Sequence, residues 1–372
     1  MLQKSLLTFI ALAILLHCHS QETSSDSVKN SAAAAAATAA APFKLSGSVD
    51  AYYRFNFQNP KPFDNAGFTH YGNDYTSFTN SQNSFELGMA SLKAEHSIGK
   101  AGIVVDLGFG RRAEEFSYND SKTLQVVKQA YVTYSPSSHV KFTFGKWATH
   151  IGYELVDASA NRNYSMSYMF TNGPFFHTGI RSDFTFGKSG FMIGIANPTD
   201  FTTTTSPTKT LIAQFSTGSK DDKVKAYLNY QGYFGATNSI PSAASLNQLD
   251  LVINGTVSSK FSIGYNGTIQ FLSDKAANAT KKWWGSALYL NYDPASAFGL
   301  TWRNEYFGDK KDAVKIGSNV FASTMSAIFK IENFKIIPEL RLDNASKEIF
   351  TKNDGTATKT TLSCILAAVY SF

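Results

Sequence analysis

Thr360-Thr361-Leu362-Ser363-Cys364-Ile365-Leu366-Ala367-Ala368-Val369-Tyr370-Ser371-Phe372 closes the chain. Every second residue back from the end gives Phe372, Tyr370, Ala368, Leu366, Cys364 and Leu362, an apolar face that ends in two aromatics. The other face carries Ser371, Ser363 and Thr361, blurred by Ile365, Ala367 and Val369. A period of two marks a β-strand, because neighbouring side chains leave the backbone on opposite sides. The same period opens the region from Phe43. Leu45, Gly47, Val49, Ala51, Tyr53, Phe55 and Phe57 share one face, and Lys44, Ser46, Ser48, Asp50, Tyr52, Arg54, Asn56 and Gln58 share the other. That run exceeds the usual strand of a soluble sheet. It is ample for a tilted membrane-crossing strand, which needs about 9–11 residues.

Working inward from both ends, the alternation recurs. It is clear at Ile103–Phe109, Val140–Phe144, Ile180–Phe186, Val224–Tyr230, Leu249–Ile253, Phe261–Phe271, Phe298–Trp302 and Phe334–Leu342. Weaker strands are expected near 84–97, 123–134, 191–196, 210–216, 284–292 and 319–330, the first with a bulge around Ala90. The connections alternate in length. Short ones fall at Gly99-Lys100, Pro136–Ser138, Gly187–Gly190, Gly218–Asp222, Ser258-Ser259, Asp293–Ala295 and Glu332-Asn333. Long polar ones fall near 59–82, 111–122, 147–173, 197–208, 235–247, 272–282, 308–317 and 343–358. Short turns on one side and long loops on the other define an all-β, antiparallel transmembrane β-barrel of about sixteen strands, its apolar face toward lipid and its polar face toward a water-filled lumen. Phe57, Tyr134, Phe144, Phe186, Tyr230, Trp284, Tyr292, Tyr370 and Phe372 are expected in the interfacial girdles.

Composition agrees. Charged residues are 17% of the 372, and aromatics 14%, against about a quarter charged in ordinary globular chains. The net charge of +6 is spread without a basic cluster, which argues against nucleic acid as a partner. Residues 1–20 read as a secretory signal: Lys4, an apolar core from Leu6 to Leu16, and a small-x-small site at Cys18-His19-Ser20. Cys18 as a lipoprotein cysteine is the alternative, with His17 too bulky for the usual pattern. Residues 21–42, alanine-rich from Ser31 to Ala41, read as a flexible leader, leaving 43–372 as the barrel. With Cys18 removed, Cys364 has no partner and is expected as a small packing residue.

The third long loop differs from the others. It is rich in Tyr, Phe and Met, so solvent is a poor home for it. We expect it to fold into the lumen and place Glu154, Asp157 and Arg162 at a constriction, facing wall charges such as Arg54, Arg181 and Arg303. Read from the alternation, the inward basic residues are Arg54, Lys141, Arg181, Lys225, Arg303, Lys335 and Arg341. The inward acids are Asp50, Glu86, Asp106, Asp183, Asp250, Glu305, Glu339 and Asp343. Seven against eight is near balance, so a ring of one sign is not expected. Opposed rows of both signs are. His70, His96, His139, His150 and His177 lack metal-ligand spacing, and no phosphate loop or serine-nucleophile motif occurs. No cofactor and no enzymatic step are expected. The weakest reading is a barrel-rim hydrolase built from His150 or His177 with Ser165 and Asp157.

The run Phe144-Gly145-Lys146-Trp147-Ala148-Thr149-His150-Ile151-Gly152-Tyr153-Glu154 resembles the OmpL-like β-barrel porin family of Gram-negative outer membranes, as do Asn161–Ser165 and Gly173–Gly179. Asp50-Ala51-Tyr52-Tyr53 and Asp106–Gly110 fit as well, so the resemblance spans most of 43–372. It implies an integral outer-membrane channel for passive diffusion of small hydrophilic solutes or ions. A terminal Phe372 is similar to the signal read by the barrel-assembly machinery, and general porins are often homotrimers. An adhesin or receptor acting through the external loops is the rival reading.

Overall fold

The computed structural model describes residues 43–65, 68–70, 72–235, 243–274 and 278–372. The signal peptide and leader expected over 1–42 lie outside the described residues. Sixteen strands close into one barrel: β1 Lys44–Asn56, β2 Ser84–Ile98, β3 Ala101–Phe109, β4 Val127–Ser137, β5 Val140–Ala148, β6 Phe176–Phe186, β7 Ser189–Ala196, β8 Thr210–Gly218, β9 Val224–Phe234, β10 Ala243–Thr256, β11 Phe261–Asp274, β12 Ala279–Ala295, β13 Phe298–Gly308, β14 Asn319–Ile331, β15 Phe334–Ala345 and β16 Thr360–Ser371. Each strand pairs antiparallel with its sequence neighbours, and β1 closes on β16, where Ala51 faces Ala368 and Arg54 faces Ile365. The closure extends to the end of the chain: Phe372 N donates to Gly47 O at 3.0 Å, and Gly47 N to Phe372 O at 3.1 Å. Closure leaves no edge strand, which is what a sheet in lipid requires.

The alternation sorts the side chains as read. On β1, Leu45 and Val49 are exposed outward, while Ser48, Asp50, Tyr52, Arg54 and Asn56 are buried inward. Tyr134, Tyr292, Tyr370 and Phe372 stand outward at the short-turn ends, and Phe57 and Trp284 at the opposite rim. Cys364 is a free thiol on the outer side of β16, between Phe55 and Leu340 on the flanking strands.

Several expectations need correction. The bulge lies at Gly88, where the β1–β2 register shifts opposite Asp50/Ala51, not at Ala90. The segment 122–126 is a short 3-10 turn and β4 starts at Val127. The polar stretches 235–247 and 272–282 are not both long loops: β10 already runs from Ala243, and β11 reaches Asp274 with β12 leaving at Ala279. These strands rise past the apolar belt. With no lipid to select an apolar face, Ser273, Asp274, Thr280, Lys281 and Lys282 pair as strand while reading as loop. Asp293–Ala295 likewise belongs to β12, with a register break before the Ala295–Phe298 pair.

Candidate functional site

The segment between β5 and β6, residues 149–175, is fastened across the inside of the barrel. Its start is held on β10, where Gly152 N donates to Asp250 Oδ1 at 3.0 Å. The next ring, Tyr153, stacks on Tyr289 of β12 with centroids 4.0 Å apart. Glu154 then meets Arg303 of β13: Nη1 donates to Glu154 Oε1 at 2.5 Å and to Ser165 O at 2.7 Å, and Nη2 to Met166 O and Thr324 Oγ1. Both residues are buried. Arg303 thus clamps two separate parts of the loop, because a guanidinium offers several donors in a fixed fork.

The inner-wall acids hold loop amides. Glu339 accepts from Tyr164 N at 2.7 Å and Ser165 N at 3.1 Å. Glu305 accepts from Tyr168 N and Met169 N, both at 2.8 Å. These two amides begin a short helix, α1 (Tyr168–Asn172), whose free N–H groups need acceptors, and Ser167 caps Phe170 N at 3.0 Å. Tyr164 Oη donates to Asp50 Oδ2 at 2.5 Å, and Tyr168 Oη to Asp343 Oδ2 at 3.0 Å. Arg341 pairs with Asp343 at 2.9 Å and donates to Met166 O at 2.6 Å.

The three residues named for a constriction all sit in this segment, and each is ion-paired with the wall. Glu154 pairs with Arg303, Asp157 with Lys128 at 2.5 Å, and Arg162 with Asp293 through two 3.0 Å bonds. Lys128 also reaches Asp106 at 3.1 Å. Arg54 does something different: it donates to Ser81 O and Gly72 O and so holds the first external loop. Arg181 and Asp183 pair with each other at 3.3 Å, the guanidinium 5.3 Å from the Trp147 ring. Lys225 lines a half-open recess of about 300 Å³ below the loop, with Tyr153, Asn254, Ser262 and Asn291.

Sequence reading missed the partners on the other side of these bonds, Lys128, Asp293 and Tyr164, as well as Arg112, which donates to Val156 O at 3.2 Å, and a set of inner-wall glycines. A Cβ at Gly88 would lie 1.8 Å from Asp50 Oδ2 and 2.7 Å from Tyr164 Oη. One at Gly264 would meet the Tyr153 ring at 2.5 Å, and one at Gly285 would meet Met169 Cγ at 2.3 Å. At Gly299 it would come 3.0 Å from Arg162 Nη2. At these four places, where a loop side chain lands on the wall, the strand supplies a glycine. The signal was available as glycines in the inward phase of β11, β12 and β13.

The hydrolase arrangement does not assemble. His177 Nε2 lies 3.1 Å from Thr149 Oγ1 and His150 Nε2 lies 3.2 Å from Tyr230 O, while Ser165 is bonded to Arg303 and Asp157 to Lys128.

Above the segment, further loops pack together. Phe78, Phe116, Val156, Met166, Phe170, Phe175 and Phe176 form one buried cluster. Asp200, of the loop after β7, accepts from Phe175 N at 2.7 Å, Phe176 N at 3.0 Å and Tyr118 Oη at 3.1 Å. It thereby latches three loops. Burial pushes its carboxyl up to about 7 from an ordinary 3.8, against the lowering effect of these bonds and of Lys146. A raised folded value means that the folded loop cluster binds the proton more tightly than the opened one. The contribution is full below pH 3.8 and is lost as pH rises through about 7. Hydrogen exchange at Phe175 and Phe176, corrected for its intrinsic pH dependence, is expected to show protection falling over that window. Asp200→Asn should flatten the profile, and an unchanged slope in that variant would assign the dependence elsewhere.

A closed sixteen-strand antiparallel barrel, with apolar residues outward and a long loop fastened inside, is the architecture of an outer-membrane porin. The chain matches the family described as "Putative beta-barrel porin-2, OmpL-like" over residues 42–372 and belongs to it. Among solved structures it is similar to the outer membrane channel DcaP of Acinetobacter baumannii (14% identity, 89% of this chain and 97% of that one, TM-score 0.58). It is also similar to the anion-selective porin from Comamonas acidovorans (12% identity, 89% and 99%, TM-score 0.59), and to the trimer form of OmpT of Vibrio cholerae (10% identity, 89% and 99%, TM-score 0.58). At these identities the likeness carries the fold alone. No curated protein matches the chain in sequence.

Proposed function

We propose that the chain is a passive outer-membrane channel for small hydrophilic solutes or ions, with the loop between β5 and β6 setting its narrowest section. The observation that supports this most is the set of bonds from that loop to β10 and to β12, β13 and β15 and back to β1, since a segment so fastened subtracts its own cross-section from the lumen. Glu154, Asp157 and Arg162 then act chiefly as fasteners of the constriction. The same reading includes a signal peptide removed on export and Phe372 as the contact for the barrel-assembly machinery. It also includes a homotrimer, the form in which the OmpT neighbour is seen. Deleting 155–165 is expected to raise single-channel conductance in planar bilayers several-fold. Unchanged steps would end the constriction reading.

The packed mouth favours one rival. Phe78, Phe116, Phe170 and Phe175 join three loops, and Tyr75 packs edge-on against Phe350 of the last external loop, its hydroxyl on Ile349 O at 2.6 Å. Such a rigid outer face would suit a receptor or adhesin. A folded, heat-modifiable barrel that gives no steps in a bilayer would favour that function.

A further inference from the structure

The balance of inward charge changes once the loop is in place. Of the eight inward acids, Asp50, Asp106, Asp183, Asp250, Glu305, Glu339 and Asp343 are buried, and Glu86 alone is not. They are occupied by loop amides, tyrosine hydroxyls, glutamine or asparagine amides and basic partners. Of the seven inward bases, Arg54, Arg303 and Arg341 are buried, and Lys141, Arg181, Lys225 and Lys335 are not. Because Arg181 is itself paired with Asp183 at 3.3 Å, seven against eight in sequence becomes three bases, Lys141, Lys225 and Lys335, against one acid on the accessible wall.

Position sharpens the imbalance. Lys141, Lys225 and Lys335 lie in the halves of their strands next to the short turns, whereas Arg181 is mid-strand and Glu86 lies near the opposite end of β2. Two further acids toward the short turns are already paired. Asp293 is shared between Arg162 at 3.0 Å and Lys330 at 3.5 Å, and Glu95 between Lys93 at 2.9 Å and Lys44 at 3.9 Å.

We propose that the lumen between the loop and the short turns is an anion-selecting vestibule, in which Lys225 and its recess are the seat for a small anion. The inference rests on the channel reading and names the class of solute it carries. The recess has the chemistry for it: an ammonium beside the amides of Asn254 and Asn291 and the hydroxyls of Thr256 and Ser262, in about 300 Å³. Asp222 at the rim is ion-paired with Lys188. A cluster of one sign between low-dielectric walls raises the local concentration of the opposite ion.

The test is the reversal potential of the purified full-length protein in a potassium chloride gradient. Wild type is expected to pass chloride several-fold better than potassium. Lys225→Glu, whose side chain makes no bond to the loop, should shift the reversal potential toward the potassium side with heat-modifiability unchanged. Inorganic phosphate added on the short-turn side should lower chloride current in wild type and not in Lys225→Glu. Conducting steps with potassium preference, or with none, would overturn the vestibule alone. An unaltered reversal potential in Lys225→Glu would remove Lys225 from the seat. No steps at all would take down the channel reading, and the vestibule with it.

Discussion

Arg303→Ala is expected to loosen the loop inside the barrel and to raise single-channel conductance several-fold, with noise from loop motion on the open level. The guanidinium is fully buried and bonds Glu154, the Ser165 and Met166 carbonyls and Thr324. Removing one partner of a buried ion pair costs about 3–5 kcal/mol, because the carboxylate left behind is neither paired nor hydrated. Here the loss falls on the loop and not on the barrel, whose closure rests on ladder bonds between neighbouring strands. Glu154 would escape its unpaired burial by moving into water, which carries the loop with it. Arg303→Lys should recover only part of the closure, since a point charge reaches Glu154 but cannot also span both carbonyls. Adding Glu154→Gln to Arg303→Ala should return conductance part of the way to wild type by removing the stranded charge, although Ser165 O loses its arginine donor while Met166 O keeps Arg341. Conductance and amide protection over 154–168 are the readouts. If both stay at wild-type values in Arg303→Ala, the arginine is not what holds the loop.

The outer half of this barrel was legible because lipid imposes one rule on every second residue. Val49, Ile103, Phe144, Leu228 and Leu340 all obey it, and the rule counts the strands correctly. The inner half obeys no such rule. Ile365, Ala367 and Val369 blur the alternation of β16 because they do pack inward, against Ile337, Tyr52 and the loop residues Ala158 and Tyr164. The polar ends of β11 and β12 read as a loop for the complementary reason, that above the lipid belt neither face is constrained. Arg162, Asp157 and Glu154 could be placed in the third loop by sequence, but their partners could not. Arg303 stands 149 residues from Glu154, and Glu339 stands 175 from Tyr164. A wall acid and a loop amide at such separations leave no periodic trace. The seven-to-eight charge count left out inward residues such as Lys128 and Lys146, and it gave a buried Glu305 the same weight as an accessible Lys225.

Gly285→Val is expected to push the loop off the β12 wall and, like the loss of Arg303, to open the channel. The two differ in cause: one removes an attraction, the other fills the seat. A Cβ at Gly285 would stand 2.3 Å from Met169 Cγ, 2.6 Å from its Sδ and 3.5 Å from Phe307. A lone methyl could be absorbed, because a thioether chain re-packs readily, so Gly285→Ala should have a small effect. Valine adds two more methyls on a stiff Cβ. Met169 cannot retreat far, because its amide is held on Glu305 and its side chain is packed with Tyr168, Trp283 and Phe307. Overpacking of this kind costs about 1–3 kcal/mol, and the cheapest relief is to lift α1 away from Glu305. Exchange at the Tyr168 and Met169 amides should rise, with conductance rising beside it. The control is Gly255→Val on β10, where the nearest atom to a new Cβ is Ile263 O at 3.8 Å. Both changes put a β-branched residue into a strand, where its propensity is favourable, but Gly255 stands in the outward phase near the strand end and touches no loop side chain. Equal outcomes at 285 and 255 would mean that the inner-wall glycines serve the barrel rather than the loop. An effect confined to Gly285→Val would show that the wall is shaped at this residue to receive the segment between β5 and β6.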